Sequence, residues 1–312
     1  MRQGLKVTPQ PELSRLSTIR LGGRAIAGVL IETPDALEFV PEVLKTLGGM
    51  PVVLGHGSNI LPKDGLLPLT LLRLDKNFTP EGFLSGEKLK KLDEDSRGAV
   101  FLASAALPLP VLVEKVCRAG FAGFSGLAGI PGSVGGAVAM NAGSFGADIQ
   151  GTLRRVGMYV LNRGFVSLPA EKLDLGYRHF AVPELNRQAA AGNNRFIILS
   201  AEFYCPRGKS AELLLETERF MEVKRSTQPV KALSAGCVFK NPAQGPAGKL
   251  LEEAGLKGKR RGGMMFSGLH ANFLVNTGRG TAAEALELIA EAREKVWLKH
   301  GAKLELEVQV WG

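Results

Sequence analysis

Apolar residues recur along the chain at two spacings, and each predicts its own kind of element. Ala27–Glu32 reads as a strand, and Thr33-Pro34-Asp35-Ala36-Leu37-Glu38 opens a helix with proline just after a capping residue. Residues 12–50 together predict a small α/β unit. Pro51–Leu61 starts as a short buried strand and delivers the chain into Gly55-His56-Gly57-Ser58-Asn59. Residues 66–103 read as mostly β, with the charged piece Gly86–Arg97 as an exposed hairpin or loop. Pro108–Ala119 carries Leu109, Leu112, Val113 and Val116 at helical spacing, and strands follow at 153–161 and 195–204.

The remainder continues in the same mixture. Residues 211–224 predict an amphipathic helix that Ser226-Thr227-Gln228-Pro229 breaks, so a boundary is expected near 208–230. Ala247–Ala254 predicts a helix stopped at Gly255, and Gly268–Asn276 a strand with His270 and Asn272 on one face. Thr281-Ala282-Ala283-Glu284 is a capping box opening the helix Ala282–Lys299, with Leu286, Ile289 and Val296 on one face. Lys299 and His300 suit its negative end, and Gly301 ends it. Lys303–Val310 alternates, setting Glu305, Glu307 and Gln309 against Leu304, Leu306, Val308 and Val310.

One stretch fits neither period. Between Gly126 and Gly146 lie seven glycines in twenty-one residues. In a packed helix or strand each would cost about 0.5–1 kcal/mol relative to alanine. Such a backbone is suited to lie against a ligand, since its amide groups can approach phosphate oxygens with no side chain between. A surface loop without a ligand is the alternative, but Ile130, Val134, Val138 and Met140 are interleaved with the glycines. It is not a dinucleotide fingerprint of the Rossmann type, because Pro131 sits inside the turn and no long amphipathic helix follows. The earlier run Gly55–Asn59 has the same character, with Ser58 and Asn59 as short polar groups.

Composition narrows the classes. The 312 residues, 45% hydrophobic and 22% charged, are those of a globular protein large enough for two or three domains. A net charge of +9 invites nucleic acid, but the basic residues are scattered, and only Lys257-Gly258-Lys259-Arg260-Arg261 is dense. That cluster is either a solvated loop or an attractor of phosphorylated small molecules. With 6% aromatic residues, none interleaved with basic ones, nucleic acid is not expected. No signal peptide or spanning segment is evident, since Phe101–Val113 is short and broken by Pro108 and Pro110. Cys117, Cys205 and Cys237 give neither a disulfide framework nor metal-ligand spacing, and a reducing cytoplasm is expected. HExxH, paired CxxC, a Walker lysine and a GxSxG elbow are all absent from the sequence, which excludes metalloprotease, zinc, P-loop and serine-hydrolase readings.

The ordered series of motifs resembles the UDP-N-acetylenolpyruvoylglucosamine reductase family, the flavoenzymes that make UDP-N-acetylmuramate for peptidoglycan. The residues carrying it are Leu21-Gly22-Gly23, Gly55–Asn59, Gly129-Ile130-Pro131-Gly132-Ser133-Val134-Gly135-Gly136, Asn141-Ala142-Gly143 and Tyr177-Arg178. It continues through Thr227-Gln228-Pro229, the Ser234–Pro242 segment, His270-Ala271-Asn272-Phe273 and Leu304–Val308. The resemblance implies an α+β fold. An FAD-binding lobe of the vanillyl-alcohol-oxidase type would occupy about 1–208, in two α/β subdomains (about 1–75 and 76–208). A substrate domain would occupy 209–312, its last strand 303–310 contributing to the active site.

It further implies that Gly55, His56, Gly57, Ser58, Asn59, Gly129, Ile130, Pro131, Gly132, Ser133, Gly135, Gly136 and Asn141 hold FAD. Arg178, Cys237 and Glu307 would be catalytic and meet above the flavin, and Tyr177, Lys240 and Asn241 would meet the UDP-sugar. The implied reaction takes hydride from NADPH to FAD, then to C3 of the enolpyruvyl group, and adds a proton at C2. Arg178 matches the family arginine at the carboxylate, and Glu307 the glutamate beside it. The usual proton donor is serine, and here Cys237 stands in its place. A thiol with an unperturbed pKa of about 8.5 is a far stronger acid than a hydroxyl and stays mostly protonated at neutral pH. His179-Phe180 and Gln309 also depart from the commoner pattern, where serine and arginine stand. His270 and Asn272 are expected to organise hydrogen bonds rather than touch ligand. The enzyme is expected to be a cytoplasmic monomer serving cell-wall synthesis, with no metal and no membrane insertion. The alternatives are an FAD-dependent oxidase of the same fold and a non-catalytic flavin-binding protein.

Overall fold

The computed structural model of the chain describes residues 4–80, 83, 87–186 and 196–312. Gly86 and residue 195, at the edges of two expected elements, lie outside these. By packing, the chain divides into two compact units. One comprises Met1–Pro9, Ala27–Gly55 and Leu69–Glu222, the other Gln10–Ile26, His56–Pro68 and Val223–Gly312. The expected functional division near residue 208 and this packing division draw different lines. The helix Ser210–Thr227 carries the packing boundary, and the second unit takes in residues 10–26 and 56–68.

Two larger sheets lie mainly in the first unit. A four-stranded sheet has the order Leu5–Pro9, Arg24–Ile31, Leu66–Leu74, Met50–Val53. Alternation in Arg24–Ile31 sends Ala25, Ala27, Val29 and Ile31 inward, as a half-buried strand requires. The expected helix after it begins as a 3₁₀ turn, Asp35–Phe39, before becoming α-helical over Val40–Leu47. The second sheet is antiparallel throughout, in the order Gly164–Pro169, Leu153–Val160, Phe196–Pro206, Gly98–Ser104, Leu89–Glu94. Its edge strand Leu89–Glu94 is mostly exposed, which accounts for its charged sequence. The helix Leu109–Arg118 buries Leu109, Leu112, Val113 and Val116, the predicted face, together with Cys117.

The second unit is built on a four-stranded sheet in the order Leu233–Cys237, Phe273–Asn276, Met264–Phe266, Arg260–Arg261. The helix Ala282–His300 starts at the predicted capping box, with both reciprocal bonds between Thr281 and Glu284 formed, and stops at Gly301 (φ 61°). Its buried face is Ala282, Ala285, Leu288, Ile289, Ala292 and Val296, and Leu286 only borders it. Asp64 adds to the cap by accepting from the Ala282 and Ala283 amides at 3.2 and 3.1 Å. The basic cluster meets carboxylates: Lys257 Glu252 at 2.8 Å, Lys259 Glu291 at 3.3 Å, and Arg261 Glu287 at 2.8 Å. Among the described residues no helix is long and apolar enough to cross a membrane.

Three expectations are corrected. The glycine-rich stretch is not free of helix: it forms a 3₁₀ turn at Ser125–Leu127 and a short helix at Val134–Ala139. Glycine is needed there for closeness, because a Cβ on Gly135 would lie 2.8 Å from the Ala105 Cβ. The strand expected over Gly268–Asn276 is confined to Phe273–Asn276, since His270–Asn272 turn to bond among themselves. The last strand forms a ladder only at Gln309–Trp311, parallel to Ile60–Pro62. Residues 304–308 bury Leu304 and Val308, leave Leu306 and Glu307 half-buried, and bond piecewise to Val238 and Lys240, with one bridge at Leu306.

Candidate functional site

In the first unit Gly55 meets the longer glycine-rich stretch. Gly129 (φ 75°) and Gly132 (φ 129°) take backbone conformations that L side chains rarely adopt. Between them Ile130 donates to the Leu127 carbonyl at 3.1 Å, and exposed Pro131 follows it. The Gly132 carbonyl accepts from the Leu109 amide at 3.0 Å. Buried Ser133 then caps the helix Val134–Ala139, its Oγ accepting from the Gly136 amide at 3.3 Å. The Val134 and Gly135 amides are taken by the carbonyls of Leu107 and Ala105 at 2.8 and 3.0 Å. Gly55 lies against this turn: a Cβ there would fall 2.8 Å from the Ser133 Oγ. Convergent backbone with no room for a side chain fits a cofactor carrying a diphosphate.

Asn141 sits beside the same stretch, only 1% exposed and left-handed at φ 44°. Its Nδ2 donates to the Gly176 carbonyl at 2.8 Å and its Oδ1 accepts from the Gln150 amide at 2.9 Å. The Asn141 side chain therefore braces the hairpin formed by Asp174–Gly176 and His179–Ala181. At the tip of that hairpin stand Tyr177 and Arg178. The Arg178 guanidinium donates to the Gly143 carbonyl at 2.7 Å and to that of Asn141 at 3.5 Å, and lies 5.1 Å from the Tyr177 ring centroid. Exposed Tyr177 and half-buried Arg178 thus form an anchored cationic group rather than a loose surface pair.

In the second unit Cys237 ends the strand Leu233–Cys237, directly after Gly236 (φ 78°) and at an irregularity in pairing with Phe273–Asn276. The irregularity takes the residues around Gly236 out of the ladder. Cys237 lines a cleft of about 590 Å³ together with Asn241, Lys249, Glu252, His270 and Asn272. Asn272, 3% exposed, binds both backbone groups of Phe239, accepting at 3.0 Å and donating at 2.8 Å. Its own amide donates to His270 Nδ1 at 3.2 Å. This is the organising role expected of the pair. Burial, with a lesser contribution from Lys257, lowers the His270 pKa and keeps the ring neutral. Asn241 Oδ1 accepts from the Ala247 amide at 2.9 Å, at the start of the helix Ala247–Glu253.

Glu307 comes to the same strand end. Its amide donates to the Val238 carbonyl at 2.8 Å, and its carbonyl accepts from Asn59 Nδ2 at 3.1 Å. The Asn59 carbonyl accepts in turn from the Gln309 amide at 3.0 Å, and the Lys240 amide donates to Glu305 at 2.9 Å. Gly57 is held from the other side, since a Cβ there would fall 2.1 Å from the Leu16 carbonyl oxygen. Exposed His56 and half-buried Ser58 flank it. Thr18 ties these pieces, its hydroxyl bonding the carbonyls of Ser234 at 2.6 Å and Gly57 at 3.3 Å. Thr18 carried no motif and was missed; only the need for glycine at position 57 hinted at a close neighbour.

The structure thus brings Gly55 to Ser133, Asn141 to Arg178, and Cys237 with Asn59, Lys240, Asn241 and Glu307 to one strand end. Arg178 belongs to the first unit, Cys237 and Glu307 to the second. The remaining cysteines are buried and form no disulfide. Burial, with a smaller contribution from Cys117, pushes the Cys205 thiol up to about 12, and Cys117 is raised by burial as well.

Known proteins carry the same two halves. Residues 30–160 match the FAD binding domain family, and residues 228–311 match the C-terminal domain of UDP-N-acetylenolpyruvoylglucosamine reductase. A UDP-N-acetylenolpyruvoylglucosamine reductase of Nitratidesulfovibrio vulgaris is 45% identical, covering 98% of both chains. One of Carboxydothermus hydrogenoformans is 35% identical, covering 96% of this chain and 92% of its own. The crystal structure of the reductase (MurB) from Thermus caldophilus superposes with a TM-score of 0.75 at 31% identity, over 99% of each chain. Continuous likeness over both halves, on a fold that places the expected motifs at shared turns, leads to one conclusion: the chain belongs to the UDP-N-acetylenolpyruvoylglucosamine reductase (MurB) family.

Proposed function

We propose that this protein is an FAD-dependent reductase that converts UDP-N-acetylenolpyruvoylglucosamine to UDP-N-acetylmuramate, with NADPH as the source of electrons. The observation that carries the reading is the joining, in one chain, of a side-chain-free cradle at Gly55 and Ser133 with a cleft that presents Cys237. The region 1–208 is assigned to FAD and 209–312 to the UDP-sugar.

FAD, when bound, supplies the hydride that saturates C3 of the enolpyruvyl double bond. The chain's own residues supply the rest. Gly55, Gly129, Gly132, Ser133 and their neighbours hold the diphosphate through backbone groups. Hydride addition beside a carboxylate builds enolate charge, which needs a fixed cation and then an acid. Arg178 holds the carboxylate and its growing charge, with its direction set by the Gly143 carbonyl. Glu307 takes the place beside the same carboxylate. The Cys237 thiol gives its proton to C2, forming the new C–H bond as the enolate collapses, and regains a proton from solvent. Tyr177, Lys240 and Asn241 contact the UDP-sugar. Such an enzyme works in the cytoplasm, as a monomer, on a peptidoglycan precursor.

Purification tests this reading. The protein should be yellow, and NADPH oxidation beyond the single equivalent that reduces the flavin should require the enolpyruvyl UDP-sugar. Oxygen consumption independent of that sugar would favour an oxidase of the same fold. Bound flavin with no spectral response to the sugar would favour a carrier.

A further inference from the structure

Six non-glycine residues among the described ones have positive φ, and three of them, Asn141, Phe145 and Arg178, belong to one network. Asparagine tolerates that conformation because its short side chain can bond locally, but a phenylalanine has no such compensation. Phe145 (φ 50°) and Gly146 (φ 77°) form the two-residue turn between the short strands Gly143–Ser144 and Ala147–Asp148. The Phe145 ring, 40% exposed, stacks on Phe220 with centroids 4.3 Å apart and planes 12° from parallel. Phe220 stands on the helix Ser210–Thr227, which Ser125 fastens at Glu216 and which lies against Cys117 at Thr217. The same hairpin supplies the Gly143 carbonyl that receives the Arg178 guanidinium at 2.7 Å. A fastened helix, a stacked ring, a strained turn and one carbonyl therefore lead in sequence to Arg178. Strain of this kind persists only where surrounding contacts enforce it.

We infer that Phe145, through its stack on Phe220, is a positioning residue for Arg178: it fixes the hairpin whose Gly143 carbonyl aims the guanidinium at the substrate carboxylate. The inference rests on the reading of Arg178 given above. Removing the ring leaves the arginine charge in place and releases its direction, so only steps that use Arg178 should suffer.

The test uses the full-length FAD-loaded enzyme as Phe145→Ala, Phe145→Tyr, Phe220→Ala, Arg178→Ala and the double variant Phe145→Ala/Arg178→Ala. Stopped-flow absorbance follows flavin reduction by NADPH and reoxidation by the enolpyruvyl UDP-sugar separately. Nitrogen-15 NMR follows the Arg178 Nε–H signal, identified by its loss in Arg178→Ala. Phe145→Ala should slow reoxidation roughly 10–100-fold, as misplacement of a catalytic group does, and broaden the Arg178 signal. Its reduction by NADPH should stay within about twofold of wild type, and Phe145→Tyr should restore both signal and rate. In the Arg178→Ala background the loss of the ring should cost nothing more. Phe220→Ala should reproduce the effect, and decides the matter should Phe145→Ala fail to fold. Wild-type reoxidation with an unchanged Arg178 signal, or slowing that adds fully to that of Arg178→Ala, would overturn the inference. Should Arg178→Ala itself reoxidise at the wild-type rate, the reading of Arg178 fails, and broadening of its signal in Phe145→Ala still upholds the positioning.

Discussion

Gly55 and Ser133, seventy-eight positions apart in sequence, approach so closely that a Cβ on Gly55 would lie 2.8 Å from the Ser133 Oγ. That oxygen already accepts the Gly136 amide, so it cannot swing aside without uncapping the helix Val134–Ala139. Gly55 and the capped turn at Ser133 are therefore parts of one contact.

Gly55→Ala should consequently lower stability by about 1 kcal/mol, the usual worth of a lost cap, and weaken FAD retention. Ser133→Gly should cost only a few tenths of a kcal/mol by itself and should relieve most of the Gly55→Ala penalty in the double variant. Thermal unfolding with and without added FAD measures this coupling. Fully additive losses would contradict the contact.

At Cys237 the expected split is between half-reactions. Cys237→Ala should leave flavin reduction by NADPH unchanged and slow product formation roughly 10²–10⁴-fold, the usual contribution of a positioned acid. Cys237→Ser should keep measurable turnover. Equal turnover in Cys237→Ala and wild type would remove the thiol from the mechanism.

The three cysteines should also differ in reactivity. Cys117 and Cys205 are both fully buried, and the Cys205 thiol, pushed up to about 12, supplies almost no thiolate at neutral pH. Iodoacetamide should modify the folded protein at Cys237 alone and the unfolded chain at all three positions. Mass spectrometry of the alkylated peptides reads the result, and bound UDP-sugar should protect Cys237.

His270 gives a pH dependence with a definite sign. Its pKa in the folded state lies below the unfolded value, chiefly through burial, so the unfolded chain binds the proton more readily. The neutral ring's contribution to stability is complete above the unfolded value of about 6.5 and is lost as pH falls below it toward the folded value. The melting temperature should fall on acidification through that window, and His270→Gln should flatten this part of the profile. A fall of the same size in His270→Gln would assign it to other groups.

Local rules made much of the fold legible. The capping box at Thr281 and Glu284, the stop at Gly301 and the buried face of Leu109–Arg118 all depend on neighbours within one or two turns, and each formed as expected. The site was legible as motifs but not as contacts. Nothing local reveals that Gly135 must press against Ala105, that Thr18 joins Ser234 to Gly57, or that residues 304–308 bond piecewise. The strand expected at Gly268–Asn276 began late because His270–Asn272 turn on themselves, and the Asn272 side chain bonds the Phe239 backbone, a long-range contact that alternation cannot register. Nor does its motif show that Asn141, expected at the cofactor, also braces the Arg178 hairpin through its amide.

The most direct test of the central claim is anaerobic reoxidation. The purified protein is reduced with one equivalent of NADPH, mixed with UDP-N-acetylenolpyruvoylglucosamine, and followed at the flavin absorbance band while the sugar product is identified by mass. The account predicts rapid return of the oxidised flavin spectrum with stoichiometric UDP-N-acetylmuramate. A flavin that stays reduced until oxygen is admitted would contradict it.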